Sequence, residues 1–139
     1  PAISPNPVAE IFTHPENVAD NLSVDFPLTA WDQGTVGGSK LTVWEILIAE
    51  ILTRRLTNAW FDETLNSDGE PYIEKFSLNR GLHYYGSNLR SSDLGATLEQ
   101  YLAILRGAAD SGFTDEEVAD AVAEFGAGID SSEASLGST

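Results

Sequence analysis

Residues Leu41 to Leu65 read LTVWEILIAEILTRRLTNAWFDETL, and this stretch decides which fold the chain can adopt. Eight of the ten residues from Val43 to Leu52 are apolar, and the stretch contains neither Pro nor Gly. An apolar run embedded in a stretch of this length is typical of a helix rather than a strand. Because the apolar residues occupy most sides of that helix, the sequence predicts a long helix that is buried on most sides.

The start of this helix carries two local signals. Thr42 and Glu45 have the spacing of a capping box, and Leu41 and Ile46 occupy the two positions of a hydrophobic staple. We expect each such Thr–Glu pair in the chain to begin a helix. Two further pairs have the same spacing, Thr13 with Glu16 and Thr114 with Glu117.

The segments before and after the central stretch are less regular. Prolines exclude long helices from residues 1–40, although residues 23–31 alternate well enough for a short edge strand. Residues 71–78 fit a helix or a strand, and Pro71, which suits the first turn of a helix, favours the helix. Residues 79–90 contain two glycines and predict a loop.

Two amphipathic helices are predicted towards the C-terminus. Apolar residues recur at helical spacing from about Ser92 to Asp110, and Gly112 lies where a helix should end. The last helix is predicted to run from Thr114 to Gly126. The resulting fold class is mainly α, a small helical bundle around one long buried helix. Its predicted divisions are a Pro/Gly-rich arm (1–40), a helical core (41–126) and an acidic flexible tail (127–139).

The charge is strongly acidic and unevenly distributed. The net charge is -15, and all seven basic residues lie between Lys40 and Arg106. Such a chain has no surplus of cations for phosphate contacts, so direct nucleic-acid binding is disfavoured. Charged residues inside the central helix argue against a membrane span. We see no signal peptide and expect a cytoplasmic or particle-associated (virion) protein.

Motifs for known chemistry are lacking. The chain has no Cys, which excludes thiolate catalysis and Cys-based metal sites. A G-x-S-x-G elbow and a phosphate-binding loop are both missing. The turn at Asp68-Gly69 resembles part of a calcium loop, but Lys75 stands where that loop needs a bidentate Glu. We therefore predict no catalytic residue, no cofactor and no metal site.

One cluster of residues is a candidate for ligand binding. Arg80, His83, Tyr84, Tyr85 and Arg90 lie close together in sequence in the predicted loop. Arginine forks and aromatic rings on a loop suit an anion or an aromatic ligand. The alternative interpretation is that these aromatic residues pack the loop onto the helices or onto a neighbouring subunit.

The preferred functional hypothesis is assembly. A helix with more apolar sides than its neighbours can cover suggests a non-enzymatic structural or adaptor subunit, which binds copies of itself and other subunits of a larger particle such as a virion shell or neck. The acidic flanks, residues 1–39 and 107–139, contain no Lys or Arg and are expected to reach arginines of neighbouring copies. The alternative is a small helical enzyme or ligand-binding domain that uses residues 79–90. Candidate interface residues are Trp44, Ile48, Ile51, Trp60 and Phe61.

Overall fold

The computed structural model of the chain describes residues 20–28, 35–78 and 82–137. This part of the chain is mainly helical, as predicted, but it also contains a small sheet. None of the helices in the described ranges is long and apolar enough to cross a membrane. The elements in chain order are β1 (Asn21–Leu28), α1 (Val36–Phe61), β2 (Glu74–Leu78), β3 (Leu82–Arg90), α2 (Leu94–Ser111) and α3 (Asp115–Gly137).

The sheet has three antiparallel strands, with β3 in the middle and β1 and β2 at the edges. The edge strand predicted over residues 23–31 is confirmed for residues 23–28, which belong to β1 and include Pro27; residues 29–31 lie outside the described residues. An edge strand tolerates proline because alternate N–H groups point away from the neighbouring strand. The helix favoured for residues 71–78 is wrong, since residues 74–78 form β2. The loop predicted for residues 79–90 is wrong over residues 82–90, which form β3, and residues 79–81 lie outside the described residues.

Helix α1 begins earlier than the sequence predicted. Thr35 is the N-cap residue, and its hydroxyl oxygen accepts a hydrogen bond of 2.9 Å from the Gly38 N–H. The capping box at Thr42 is therefore wrong, because Thr42 lies inside the helix and donates to the Gly38 carbonyl at 3.0 Å. Gly38 is buried in α1, so tertiary packing offsets the poor helix propensity of glycine.

Both predicted ends of α2 and the predicted start of α3 agree with the structure to within two residues. Gly112, with a φ of 68°, follows α2 and is the residue predicted to end it. The capping box at the start of α3 is confirmed: the Glu117 N–H donates to Thr114 Oγ1 at 3.1 Å, and the Thr114 N–H donates to Glu117 Oε1 at 2.9 Å. Helix α3 does not end at Gly126, however, but continues to Gly137 through part of the predicted tail. The third pair, at Thr13, lies outside the described residues.

Helix α1 contributes to two hydrophobic clusters through different sides. Its residues Leu52 and Leu56 join a cluster with β3 and α2, in which Leu89 and Tyr101 are fully buried. Leu47 and Ile51 of α1 form a second cluster with Ala121 of α3. The helix is nevertheless not covered all round, since its N-terminal half leaves several apolar side chains exposed.

Candidate functional site

Strand alternation separates the residues of the predicted ligand-binding cluster. Side chains on a strand point alternately to opposite faces. His83 and Tyr85 lie on the inner face of the sheet and are buried, whereas Tyr84 and Arg90 belong to the outer face. Arg80 lies outside the described residues. Of the four described members, only Tyr84 and Arg90 therefore share an accessible face.

The two inward residues of the cluster make contacts inside the chain. His83 is 1% exposed, and its Nδ1 lies 3.0 Å from Ser77 Oγ on β2. The hydroxyl of Tyr85 donates a 2.7 Å hydrogen bond to the backbone carbonyl of Glu45, which joins β3 to α1. Burial, and next the nearby charge of Glu45, raise the pKa of Tyr85. The phenol therefore remains a proton donor at neutral pH.

A buried ion pair between α1 and β2 was missed by the sequence analysis. The Nζ atom of Lys75 lies 2.9 Å from Oε1 of Glu45, and each of the two side chains is 10% exposed. Glu45 and Lys75 are far apart in the sequence, and the capping-box interpretation assigned Glu45 to a helix start. A pair buried to this degree orients α1 on the sheet, and removing one partner leaves an uncompensated charge.

The contact between α1 and α3 is strongly charged. The guanidinium of Arg55 binds the Glu117 carboxylate through two contacts of 2.7 Å, and these hydrogen bonds lower the pKa of Glu117 to about 2. Arg54 contacts Glu50 at 3.3 Å and also binds Glu124 of α3. Acids of the C-terminal flank are thus paired with arginines of their own chain.

Carboxylates of this contact influence one another. The pKa of Glu50 is raised, first by burial and then by its hydrogen bond with Glu124 and by the charge of that residue. Within the described residues, no group of three or more His, Cys, Asp or Glu side chains is arranged to hold a metal ion. The ion pairs of Arg54 with Glu124 and of Arg55 with Glu117 hold α3 on α1.

The outer face of the sheet carries an aromatic hollow, which we define as Asp25, Tyr72, Phe76, Tyr84 and Gly86. Ser23, Ser87 and Asn88 also line this open hollow, whose volume is about 250 Å³. The rings of Phe76 and Tyr84 stack with their centroids 5.1 Å apart. Gly86 lies opposite Asp25 in the strand register, and a Cβ atom at this glycine would lie 3.0 Å from Phe76 Cε2. The missing side chain lets the Phe76 ring lie against the floor of the hollow.

A second exposed feature lies on α1. We define the apolar surface of α1 as Val36, Leu41 and Trp44. Their exposed fractions are 77%, 48% and 52%, respectively. Leu41 and Trp44 are three residues apart and Val36 and Trp44 are eight apart, so these side chains share one side of the helix. Lys40 lies between them and is also exposed.

The predicted interface residues are placed differently from one another. Trp44 and Phe61 are exposed, and Phe61 contacts the ring of Trp60. Trp60 is partly buried and its indole N–H donates to the Ser67 carbonyl at 3.0 Å. Ile48 packs against the first hydrophobic cluster, and Ile51 is 2% exposed in the second. The last two side chains are therefore engaged largely inside the chain.

Comparison with known proteins identifies no relative. A scan against protein-family models found no match, and searches of curated proteins and of solved structures found none either.

Proposed function

We propose that this chain is a non-enzymatic structural or adaptor subunit that assembles with copies of itself in a larger particle, such as a virion shell or neck. The observation that carries the proposal is the apolar surface of α1. Isolated exposed apolar side chains are common in monomers. Here a Val, a Leu and a Trp share one side of a helix within nine residues, and a grouped apolar surface is typical of a protein interface.

The composition of this surface also suits an interface. Tryptophan is enriched among the residues that dominate binding energy, because its large ring buries much area with few torsions to restrict. Leu41 lies beside Trp44, so the two side chains offer one continuous contact. The alternative function, a ligand-binding domain built on residues 79–90, is supported by Tyr84 at the aromatic hollow.

The mass of the chain in solution tests the proposal. One copy has a mass of 15.0 kDa, and we expect light scattering coupled to gel filtration to give a mass of several copies. The double variant Leu41→Ser/Trp44→Ser should shift the mass towards one copy without loss of helical circular dichroism. Val122→Ser is the matched control, because Val122 is an exposed apolar residue on a different helix.

Two results would contradict the proposal. The first is a mass of one copy at every concentration that can be reached. The second is an equal loss of assembly in Leu41→Ser/Trp44→Ser and in Val122→Ser, which would indicate nonspecific association of exposed apolar groups.

A further inference from the structure

The outer face of the sheet is complementary to the exposed side of α1. The aromatic hollow offers the half-exposed rings of Tyr72 and Phe76 together with the exposed carboxylate of Asp25. The apolar surface of α1 offers Leu41 and Trp44 around an exposed ammonium group, that of Lys40. Each surface thus combines apolar area with one charge, and the two charges have opposite sign.

The two charged groups are both available for a partner. Among the residues that the structure describes, Lys40 and Arg106 are cations with no hydrogen bond or ion pair. Asp25 likewise has no hydrogen bond or ion pair to another described residue. Residues 1–39 contain neither Lys nor Arg, and their one histidine is His14.

The dimensions of the hollow favour a side chain over a free ligand. At about 250 Å³ it is smaller than the sites that enclose drug-sized molecules. A lysine stem can lie along aromatic rings while its ammonium group reaches a carboxylate beyond them. An ammonium group is also attracted to the faces of Tyr and Phe rings.

We propose that the apolar surface of α1, with Lys40 at its centre, docks into the aromatic hollow of a second copy of this chain. Lys40 of one copy pairs with Asp25 of the next, while Leu41 and Trp44 cover Tyr72 and Phe76. The two surfaces are different parts of the molecule, so the contact is head to tail and repeats into a ring or a filament. This inference rests on the proposed function and identifies the interface through which it acts.

Charge reversal tests the pairing. Lys40→Glu places like charges at the contact, and so does Asp25→Lys. We expect each variant to raise the dissociation constant for assembly by about tenfold or more, because like charges across an interface suppress association. Mixing the two variants restores opposite charges at every contact along an alternating assembly. In the double variant Lys40→Glu/Asp25→Lys, every copy carries both reversals, so the charges at each contact are again opposite. We expect the mixture and the double variant to assemble with dissociation constants within a few-fold of that of the parent chain.

Matched controls are available on α2. Arg106→Glu and Asp110→Lys make the same changes of net charge at exposed positions outside both surfaces. They should leave the dissociation constant unchanged. Circular dichroism of each variant, together with assembly of the mixture, shows that the charge-reversed chains are folded.

Three results would overturn the inference. In the first, the parent chain assembles, but neither charge reversal weakens assembly, or mixing the two variants does not restore assembly. The interface then lies elsewhere, while the proposed function survives. If Arg106→Glu weakens assembly as much as Lys40→Glu, the effect is one of net charge. In the third, the parent chain is a monomer whose hollow binds an added lysine probe that is blocked at its α-amino and α-carboxyl groups and keeps its side-chain ammonium group. The hollow then receives a different partner, and the proposed function fails as well.

Discussion

One hydroxyl group at Thr114 decides where α3 begins. It satisfies the Glu117 N–H, which has no partner within the helix. We predict that Thr114→Ala lowers the free energy of unfolding by about 1 kcal/mol, as is usual for loss of an N-cap hydroxyl. Urea unfolding followed by circular dichroism measures the change.

Thr42 provides the control, since it carries the same sequence signal without the same role. It lies inside α1 and donates to the Gly38 carbonyl, so Thr42→Ala should change stability by no more than about 0.5 kcal/mol. A larger loss in Thr42→Ala than in Thr114→Ala would show that the two hydroxyl groups are wrongly assigned. The local motif is the same at both sites, but the N-cap at Thr35 starts α1 earlier and leaves Thr42 inside the helix.

Gly86 is a second residue at which one small group matters. In Gly86→Ala the new Cβ would lie 3.0 Å from Phe76 Cε2 and 3.1 Å from Asp25 Oδ1. We predict a loss of about 1–2 kcal/mol in stability, because the Phe76 ring must move away from the sheet. Urea unfolding should show the opposite sign for Gly107→Ala, whose Cβ meets no atom within 4 Å on an exposed part of α2, since alanine is the better helix former. A Gly86→Ala chain as stable as the parent would mean that the floor of the hollow is not tightly packed.

At the scale of elements, periodicity identified α1, α2 and α3, and it failed at β3. The inward positions of β3 include His83, Ser87 and Leu89, so apolar and polar residues do not alternate along it. Its buried polar groups find partners that are remote in sequence, such as Tyr101, whose hydroxyl lies 2.7 Å from Ser87 Oγ. Hydrophobic patterning detects a strand only when its inner face is apolar, and that condition is not met here.

The ion pair between α1 and α3 makes stability depend on pH in a definite window. Because the pKa of Glu117 is lowered from 4.5 to about 2 in the folded chain, the unfolded chain binds more protons between these values. The stabilisation is therefore complete above about pH 4.5 and is lost as the pH falls towards 2. We predict that Glu117→Gln costs about 1 kcal/mol at pH 7 and much less at pH 2, as measured by urea unfolding at both pH values.

Glutamine is the appropriate substitution, because it can still accept the capping hydrogen bond from Thr114. Glu116→Gln is the control: it removes one charge from the same helical turn at an exposed position. Equal losses in the two variants at pH 7 would indicate that the helix dipole, rather than Arg55, carries the effect.

At the scale of the whole molecule, the sequence predicted the charge and the long helix better than it predicted which residues form a surface site. The acidic charge and the long helix follow from residues that are adjacent in the chain. The aromatic hollow brings Asp25 of β1 next to Phe76 of β2 across Gly86 of β3, and no local pattern encodes that arrangement. Five neighbouring residues instead formed the predicted site, and strand alternation placed His83 and Tyr85 on the opposite face from Tyr84.

The last prediction concerns the acidic C-terminal flank, residues 107–139, which was expected to reach neighbouring copies. The described contacts that hold α3 on α1, both apolar and charged, lie between Phe113 and Phe125. The free energy of unfolding of a chain shortened by removal of residues 130–139 should therefore lie within about 0.5 kcal/mol of that of the full chain. Light scattering should give the same number of copies per assembly. Removal of residues 115–139 should instead expose Leu47 and Ile51 and unfold the chain or make it aggregate. If the shorter truncation folds normally but loses its assembled mass, the end of α3 does contact a neighbouring copy, and docking through the aromatic hollow is not sufficient for assembly.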